Sequence, residues 1–159
     1  MTPRLMQALV FASAVLSAAS AARAAEWDSI VPGQSTFNTV RERLGEPGSR
    51  KTEKVEGYDT TEWVYEGERA PRGIRRLTIA FGILLPQGFL PDTVRVFRLE
   101  PAPGVFTERT VLTGWGRPSA AGREGDFPSL MYQDGLIVIF ERDGRNVRQM
   151  IFTVPQVKQ

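Results

Sequence analysis

The sequence predicts an α+β fold of two tandem helix-plus-antiparallel-sheet repeats, with the helices on one face of the sheet. Three observations support this fold class: a short amphipathic helix with a stop signal at each end, alternating strand segments after it, and a return of the same pattern later in the chain. Residues 1–24 are expected to be a signal peptide. Residues 25–159 are expected to be one domain, with repeats at about 28–100 and 101–159.

The N-terminus has the features of a cleavable signal peptide. Arg4 supplies an early positive charge, an apolar stretch follows, and Ala22-Arg23-Ala24 fits the small-x-small pattern that precedes a cut. The apolar stretch is shorter than the roughly 20 residues needed to cross a bilayer, and alanine and serine dilute it. We therefore expect cleavage after Ala24 or Ala25 and a periplasmic or secreted protein without a stable membrane anchor.

The mature domain is electrically neutral and lacks the side chains most used in catalysis. The chain has 20 basic and 18 acidic residues, and loss of Arg4 and Arg23 with the signal peptide leaves 18 of each. Without a net positive field, general binding to nucleic acid has no electrostatic driving force. Because the sequence has no histidine and no cysteine, we expect no metal, no cofactor and no enzymatic activity.

The first predicted element is a helix of about ten residues. Its apolar side chains recur at helical spacing, a hydroxyl residue at its start can accept a backbone hydrogen bond, and a glycine followed by a proline ends it. These features belong to Ser35 or Thr36 at the start, to Phe37, Val40 and Leu44 on the apolar face, and to Gly45 and Pro47 at the end.

Three strand segments follow this helix. The first places Trp63 and Tyr65 on one face, the second alternates over residues 76–81, and the third, residues 93–99, is rich in valine and phenylalanine. Residues 82–91 connect the last two segments and are unusually apolar. Their two prolines disfavour sheet hydrogen bonding and their two glycines favour a turn, which predicts a loop.

The pattern then recurs at a constant offset of 71 positions. Laying residues 104–118 over residues 33–47 gives six identities in fifteen positions, where composition alone gives about one. Later aromatic and valine-containing segments recur in the same order, which predicts two copies of the unit. The identical pairs are Gly33/Gly104, Thr36/Thr107, Thr39/Thr110, Val40/Val111, Gly45/Gly116 and Pro47/Pro118.

These residues resemble a known family. The pattern G-x-S/T, a short helix, L-G-x-P and a W-x-Y strand is similar to the SmpA/OmlA (BamE-like) domain, and its duplication is similar to the β-lactamase inhibitor protein. The resemblance implies a non-catalytic envelope-assembly accessory protein or, alternatively, an inhibitor of a secreted enzyme. BamE-like proteins carry a lipid on a cysteine, which this chain lacks. The matching residues are Gly33, Ser35, Val40, Leu44, Gly45, Pro47, Trp63 and Tyr65.

Two apolar features could bind a partner, which we expect to be another envelope or secreted protein. One is the sheet face opposite the helices, which could bind a partner if Trp63 and Tyr65 lie on it. The alternative is that these two aromatic residues pack under the helix. The other is the apolar loop, where Leu84, Leu85 and Phe89 are either exposed to a partner or buried between the repeats.

A third candidate for binding is the basic segment with Arg72, Arg75 and Arg76. Arginine forks match the geometry of carboxylates and phosphates, so these side chains could hold an acidic group of a partner. The alternative is a solvated loop balanced by Glu66 and Glu68.

A function of another class is a carboxylate-dependent hydrolase of cell-wall glycan. Acidic residues cluster in sequence around the first predicted hairpin, and paired carboxylates can hydrolyse glycosidic bonds. The alternative is a solvated edge facing Arg50, Lys51 and Lys54. A closed cleft with two facing acids would favour the hydrolase. The acidic residues are Glu53, Glu56, Asp59, Glu62 and Glu66.

Overall fold

The structure, a computed structural model, describes residues 23–155, which contain eight strands, two short α-helices and one 3-10 turn at Gly67–Arg69. The predicted signal peptide lies outside the described residues except for its last two positions. No helix within residues 23–155 is long and apolar enough to cross a membrane. The elements are α1 (Phe37–Leu44), β1 (Ser49–Val55), β2 (Tyr58–Glu66), β3 (Ile74–Leu85), β4 (Gly88–Pro101), α2 (Glu108–Trp115), β5 (Ala120–Glu124), β6 (Phe127–Met131), β7 (Leu136–Phe140) and β8 (Val147–Thr153).

The strands form one continuous antiparallel sheet in the order β1-β2-β3-β4-β8-β7-β6-β5. β4 and β8 join its two halves, with pairs running from Val96 and Thr153 to Leu99 and Met150. The predicted fold class of two tandem helix-plus-sheet repeats is therefore wrong. Residues 23–155 are mostly one eight-stranded sheet with two α-helices of eight residues each. The error arises because the periodicity of a strand does not encode which other strand it pairs with.

α1 forms where its capping and stop signals predict a helix. Thr36 is the N-cap, and its backbone N–H donates a hydrogen bond to the hydroxyl of Thr39 at 3.4 Å. Gly45 ends the helix at φ 75°, and its N–H donates to the carbonyl of Arg41 at 2.8 Å. Val40 is completely buried, so the predicted apolar face is the one that packs on the sheet.

α2 is built in the same way at the offset predicted from sequence. The hydroxyl of Thr110 accepts from the backbone N–H of the N-cap Thr107 at 2.8 Å, and Gly116 ends the helix at φ 77°. Val111 is completely buried. The equivalent local structures thus exist, but they lie on one shared sheet rather than in two separate ones.

Both helices lie over the same face of the sheet, which we call the covered face. On α1, Phe37 stacks on Trp63 with ring centroids 5.0 Å apart. On α2, Trp115 meets Phe152 edge-on at 6.0 Å. Trp63 and Phe152 belong to one row of paired residues that crosses the sheet, and this row forms the centre of the apolar core. The row is Trp63, Ile79, Phe97, Phe152 and Leu136.

Candidate functional site

The face opposite the helices, the open face, carries a small cleft at the tips of two neighbouring hairpins, which we call the tip cleft. One hairpin turns at residues 56–57, between β1 and β2, and the other at residues 86–87, between β3 and β4. The cleft encloses about 120 Å³. Its lining includes Val55, Tyr58, Thr60, Leu84, Phe89 and Arg95.

The apolar segment 82–91 forms part of this hairpin and is not a loop. Ile83 pairs with Leu90 and Leu84 pairs with Phe89, so the ladder continues almost to the turn. The prediction of a loop is wrong because neither proline occupies a paired position: Pro86 lies in the turn, and a register shift after Phe81 leaves Pro91 unpaired. A proline at a bulge removes no ladder hydrogen bond.

The hairpin brings two of its three predicted binding residues together. The ring of Phe89 stacks on Tyr58 with centroids 4.4 Å apart. Leu84 is the cross-strand neighbour of Phe89 and is 57% exposed. Leu85 is the next residue along β3 and therefore points to the opposite face of the ribbon. The tip cleft is thus an apolar site formed by Leu84, Phe89 and Tyr58, without Leu85.

Gly82 allows this packing at the base of the hairpin. Its φ is 97°, and a Cβ atom added there would come within 3.1 Å of both the Phe89 ring and the Thr60 methyl group. Glycine is therefore strongly favoured at this position, because the positive φ strains other residues and an added methyl group would crowd both neighbouring side chains. The close approach places Phe89 across β2 and against Tyr58.

Trp63 and Tyr65 lie on the covered face, beneath α1. Their exposed fractions are 3% and 0%, so they are not available to a partner. Of the two alternatives, packing under the helix is the one that fits their burial. The guanidinium groups of Arg41 and Arg50 lie 5.6 and 5.1 Å from the centre of the Trp63 ring. Alternation within the strand established that the two aromatics share a face, but it could not establish which face the helix covers.

The three predicted arginines do not form one site. Arg76 is 3.8 Å from the carboxylate of Glu66, as the solvated-loop interpretation expects. Arg72 is exposed in the turn before β3. Arg75 borders a separate polar depression of about 390 Å³ together with Glu100 and other charged residues.

This polar depression contains two carboxylates but is balanced in charge. Glu100 and Glu141 line it, and so do Arg75 and Arg148. The guanidinium of Arg148 is 3.5 Å from the carboxylate of Glu141. Exposed pairs of this kind contribute little to stability.

Among the acidic residues of the first hairpin, only Glu53 lies on the edge strand β1. Glu56 lies in the turn, and Asp59, Glu62 and Glu66 lie on β2. Lys51 is 3.1 Å from Glu53, and Lys54 is 3.0 Å from Asp59. Charged side chains on an edge strand hinder pairing with another chain. β1 is therefore a protected edge, and its lysines pair with Glu53 and Asp59.

Sequence reasoning missed Tyr58 and Arg95. Tyr58 follows Glu56-Gly57, the two residues of a hairpin turn, which have positive φ values of 51° and 86°. This pair was a usable signal in the sequence for a turn immediately before Tyr58. Arg95 had no such signal. Strict alternation would place it with Phe97 on the covered face, but the β4 register shift opposite Ala80 turns it into the tip cleft.

The Nε atom of Arg95 is buried and has no hydrogen-bond partner among the described residues. A buried donor without an acceptor is unfavourable by about 1–3 kcal/mol. The tip cleft therefore combines an apolar surface with one guanidinium group whose Nε atom lacks an acceptor, and Glu56 also lines it.

No protein-family model and no curated protein match the chain. Among solved structures, the chain is similar to the crystal structure of a DUF4309 family protein (YjgB) from Bacillus subtilis subsp. subtilis str. 168. The TM-score is 0.47, the sequence identity is 12%, and the similarity covers 79% of this chain and 82% of that chain. The functional interpretation therefore depends on the residues of this chain.

Proposed function

We propose that this protein is an exported, non-catalytic protein-binding module of the cell envelope. The observation that carries the proposal is the exposure of Leu84 beside the stacked Tyr58–Phe89 pair on the open face. Burying one such apolar side chain is worth about 1.5–3 kcal/mol, which a partner can supply. Export is proposed from the signal-peptide features of residues 1–24.

The size of the tip cleft favours recognition of a side chain over binding of a small molecule. Its volume of about 120 Å³ is well below the roughly 300–1,000 Å³ of pockets that enclose small ligands. An apolar side chain of a partner fits such a cleft, and a neighbouring carbonyl or carboxylate of the same partner could accept from Arg95. Aromatic residues and arginine are the usual anchors of protein interfaces.

Among protein-binding roles, we propose assistance in envelope assembly. This choice follows the resemblance of residues 33–65 to BamE-like domains. A secreted enzyme as the captured partner would instead indicate an inhibitor.

Site-specific photo-crosslinking tests the proposal. A benzoylphenylalanine at position 84 is expected to crosslink a partner in periplasmic extract, and the same group at position 112 is not. Leu112 is a matched control because it is also a large, exposed apolar residue, 40% exposed, but lies on α2 over the covered face.

The corresponding serine variants give a quantitative measurement. Leu84→Ser should weaken binding of the crosslinked partner by about tenfold or more, which corresponds to about 1.4 kcal/mol. Leu112→Ser should leave the affinity unchanged, and thermal melting should show that both variants are folded. Equal crosslinking at both positions, or equal affinities of both variants, would exclude the tip cleft as the binding site.

A further inference from the structure

A further cavity, which shares no residue with the tip cleft or the polar depression, lies where the described chain begins. Residues 23–26 run between the end of α2 and the turn that joins β6 to β7. Ala24 and Ala25 are 7% and 4% exposed, so this segment is packed against the domain. The backbone N–H of Ala25 donates to the carbonyl of Asp134 at 2.9 Å. The cavity encloses about 400 Å³ and is bordered by Asp134 and Trp115.

The carboxylate of Asp134 has an unused hydrogen-bonding position. Its Oδ1 atom is buried and has no partner within residues 23–155. A buried carboxylate oxygen without a donor is unfavourable, and a cationic donor is the most effective remedy. The charge of Asp134 also adds to desolvation in raising the pKa of the nearby Tyr132 hydroxyl.

The turn that carries Asp134 is held rigidly. Gly135 has φ 99°, and a Cβ atom on it would overlap the carbonyl oxygen of Thr153. The carbonyl of Gly135 accepts from the backbone N–H of Thr153 at 2.9 Å and from its hydroxyl at 3.2 Å. The backbone around Asp134 therefore cannot move away from residue 25 without breaking this contact with β8.

We infer that Asp134 is a binding site for a primary ammonium group, and that its ligand is the N-terminus created when the leader is cleaved after Ala24. This inference rests on one part of the proposed function: the chain must be exported and its leader must be cleaved. Hydrolysis of the Ala24–Ala25 peptide bond consumes one water molecule and releases a carboxylate on the leader. The amide nitrogen of Ala25, which had one N–H, becomes an amine and takes up a proton to become an ammonium with three.

One of these three donors retains the hydrogen bond to the Asp134 carbonyl, and another satisfies Oδ1 of the same residue. The end of α2 contributes as well, because carbonyl groups at a helix C-terminus favour a nearby positive charge. The titratable groups bordering the cavity are Arg23, Glu26 and Asp134, and Tyr132 faces Asp134 from the same turn. Cleavage removes Arg23, the competing cation, and leaves the ammonium as the cation of this cavity.

A cycle of four mature proteins tests the inference. One chain begins at Ala25, released from a fusion partner without extra residues, and a second carries a Gly-Ser extension before Ala25. Each is made with Asp134 and with Asp134→Asn. At pH 7 the Ala25 chain should melt about 3–6 °C higher than the extended chain, and Asp134→Asn should abolish this difference.

The pH dependence provides a readout that a merely structural aspartate would not change. The ordinary pKa of an α-amine is about 7.7–8.0, and pairing with a carboxylate raises it. The extra stability should therefore be complete below about pH 7.5 and disappear as the pH rises through the raised pKa. NMR titration of ¹⁵N-labelled Ala25 should report the raised pKa directly.

Several outcomes would overturn the inference. They are equal melting temperatures of the Ala25 and extended chains, an ordinary α-amine pKa, or a natural N-terminus at a residue other than Ala25. The first two measurements use chains with defined ends and no partner. A failure of tip-cleft binding in the crosslinking experiment therefore leaves this inference standing, and the reverse also holds.

Discussion

At the scale of single residues, two tyrosines connect the helix ends to the sheet. The hydroxyl of Tyr65 donates to the carbonyl of Gly45 at 2.9 Å, and that of Tyr132 donates to Gly116 at 3.1 Å. Each glycine follows the last residue of a helix, where carbonyl groups lack partners within the helix. Burial raises the pKa of Tyr65 to about 12, against the opposing effect of Arg50 and Arg41.

This raised pKa predicts a loss of stability in alkaline solution. The ordinary pKa of tyrosine is 10.0, so the unfolded chain releases this proton before the folded chain does. The contribution is complete below pH 10 and declines by up to about 1.4 kcal/mol per pH unit as the pH rises towards 12. Tyr65→Phe should cost about 1 kcal/mol at pH 7 and flatten the decline.

Urea unfolding at pH 7, 10 and 11.5 measures this effect. Tyr58→Phe is the control because Tyr58 is 40% exposed, and it should retain the decline. An undiminished decline in Tyr65→Phe would show that other groups cause the alkaline loss.

At the scale of elements, the β3–β4 hairpin decides the shape of the candidate site. Register shifts beside Phe81 bend the ribbon, turn Arg95 into the tip cleft and leave Pro91 unpaired. Gly82 lies at the bend and lets Phe89 lie across β2. The functional geometry therefore depends on an irregularity in the ladder.

Replacement of Gly82 by alanine should displace the Phe89 ring. Gly88→Ala is the matched control, because Gly88 has φ 122° but no atom within 4 Å of the added methyl group. Both variants should lose about 1–2 kcal/mol from backbone strain, measured by urea unfolding. Only Gly82→Ala should also weaken partner binding and change the near-ultraviolet circular dichroism of the Tyr58–Phe89 pair. Identical behaviour of the two variants would contradict the role assigned to Gly82.

At the scale of the whole molecule, the β4–β8 ladder makes both halves of the chain one structure. Phe97 on β4 and Phe152 on β8 stack with centroids 4.5 Å apart, and both are completely buried. Because backbone hydrogen bonds and an aromatic stack cross this junction, neither half can unfold without exposing core surface of the other.

Phe152→Ala should therefore destabilise the whole sheet. The expected cost is about 3–5 kcal/mol, from lost burial and the cavity that remains. Hydrogen exchange should show amides of β2–β3 and β6–β7 losing protection together. Ile151→Ala, one residue away on the open face and half-buried, should cost less. Loss of protection confined to β5–β8 would instead indicate two independent units.

The local elements could be predicted from the sequence. The spacing of Phe37, Val40 and Leu44 and the glycine that follows them determine α1, because helix ends and faces depend on neighbouring residues. Alternation likewise placed the strand at residues 61–65 within β2. The histidine-free and cysteine-free composition supports the expectation of a non-catalytic protein, which stays a prediction.

Only the tertiary structure decided how these elements combine. Alternation shows that Trp63 and Tyr65 share a face, but contact with α1 determines that this face is buried. Pairing between β4 and β8 turns a predicted pair of repeats into one sheet, and a register shift places Arg95 in the tip cleft. Helix spacing is a property of adjacent residues. Strand partners and bulges depend on contacts between segments that are distant in sequence. The free energies of these contacts cannot be predicted from any one short segment.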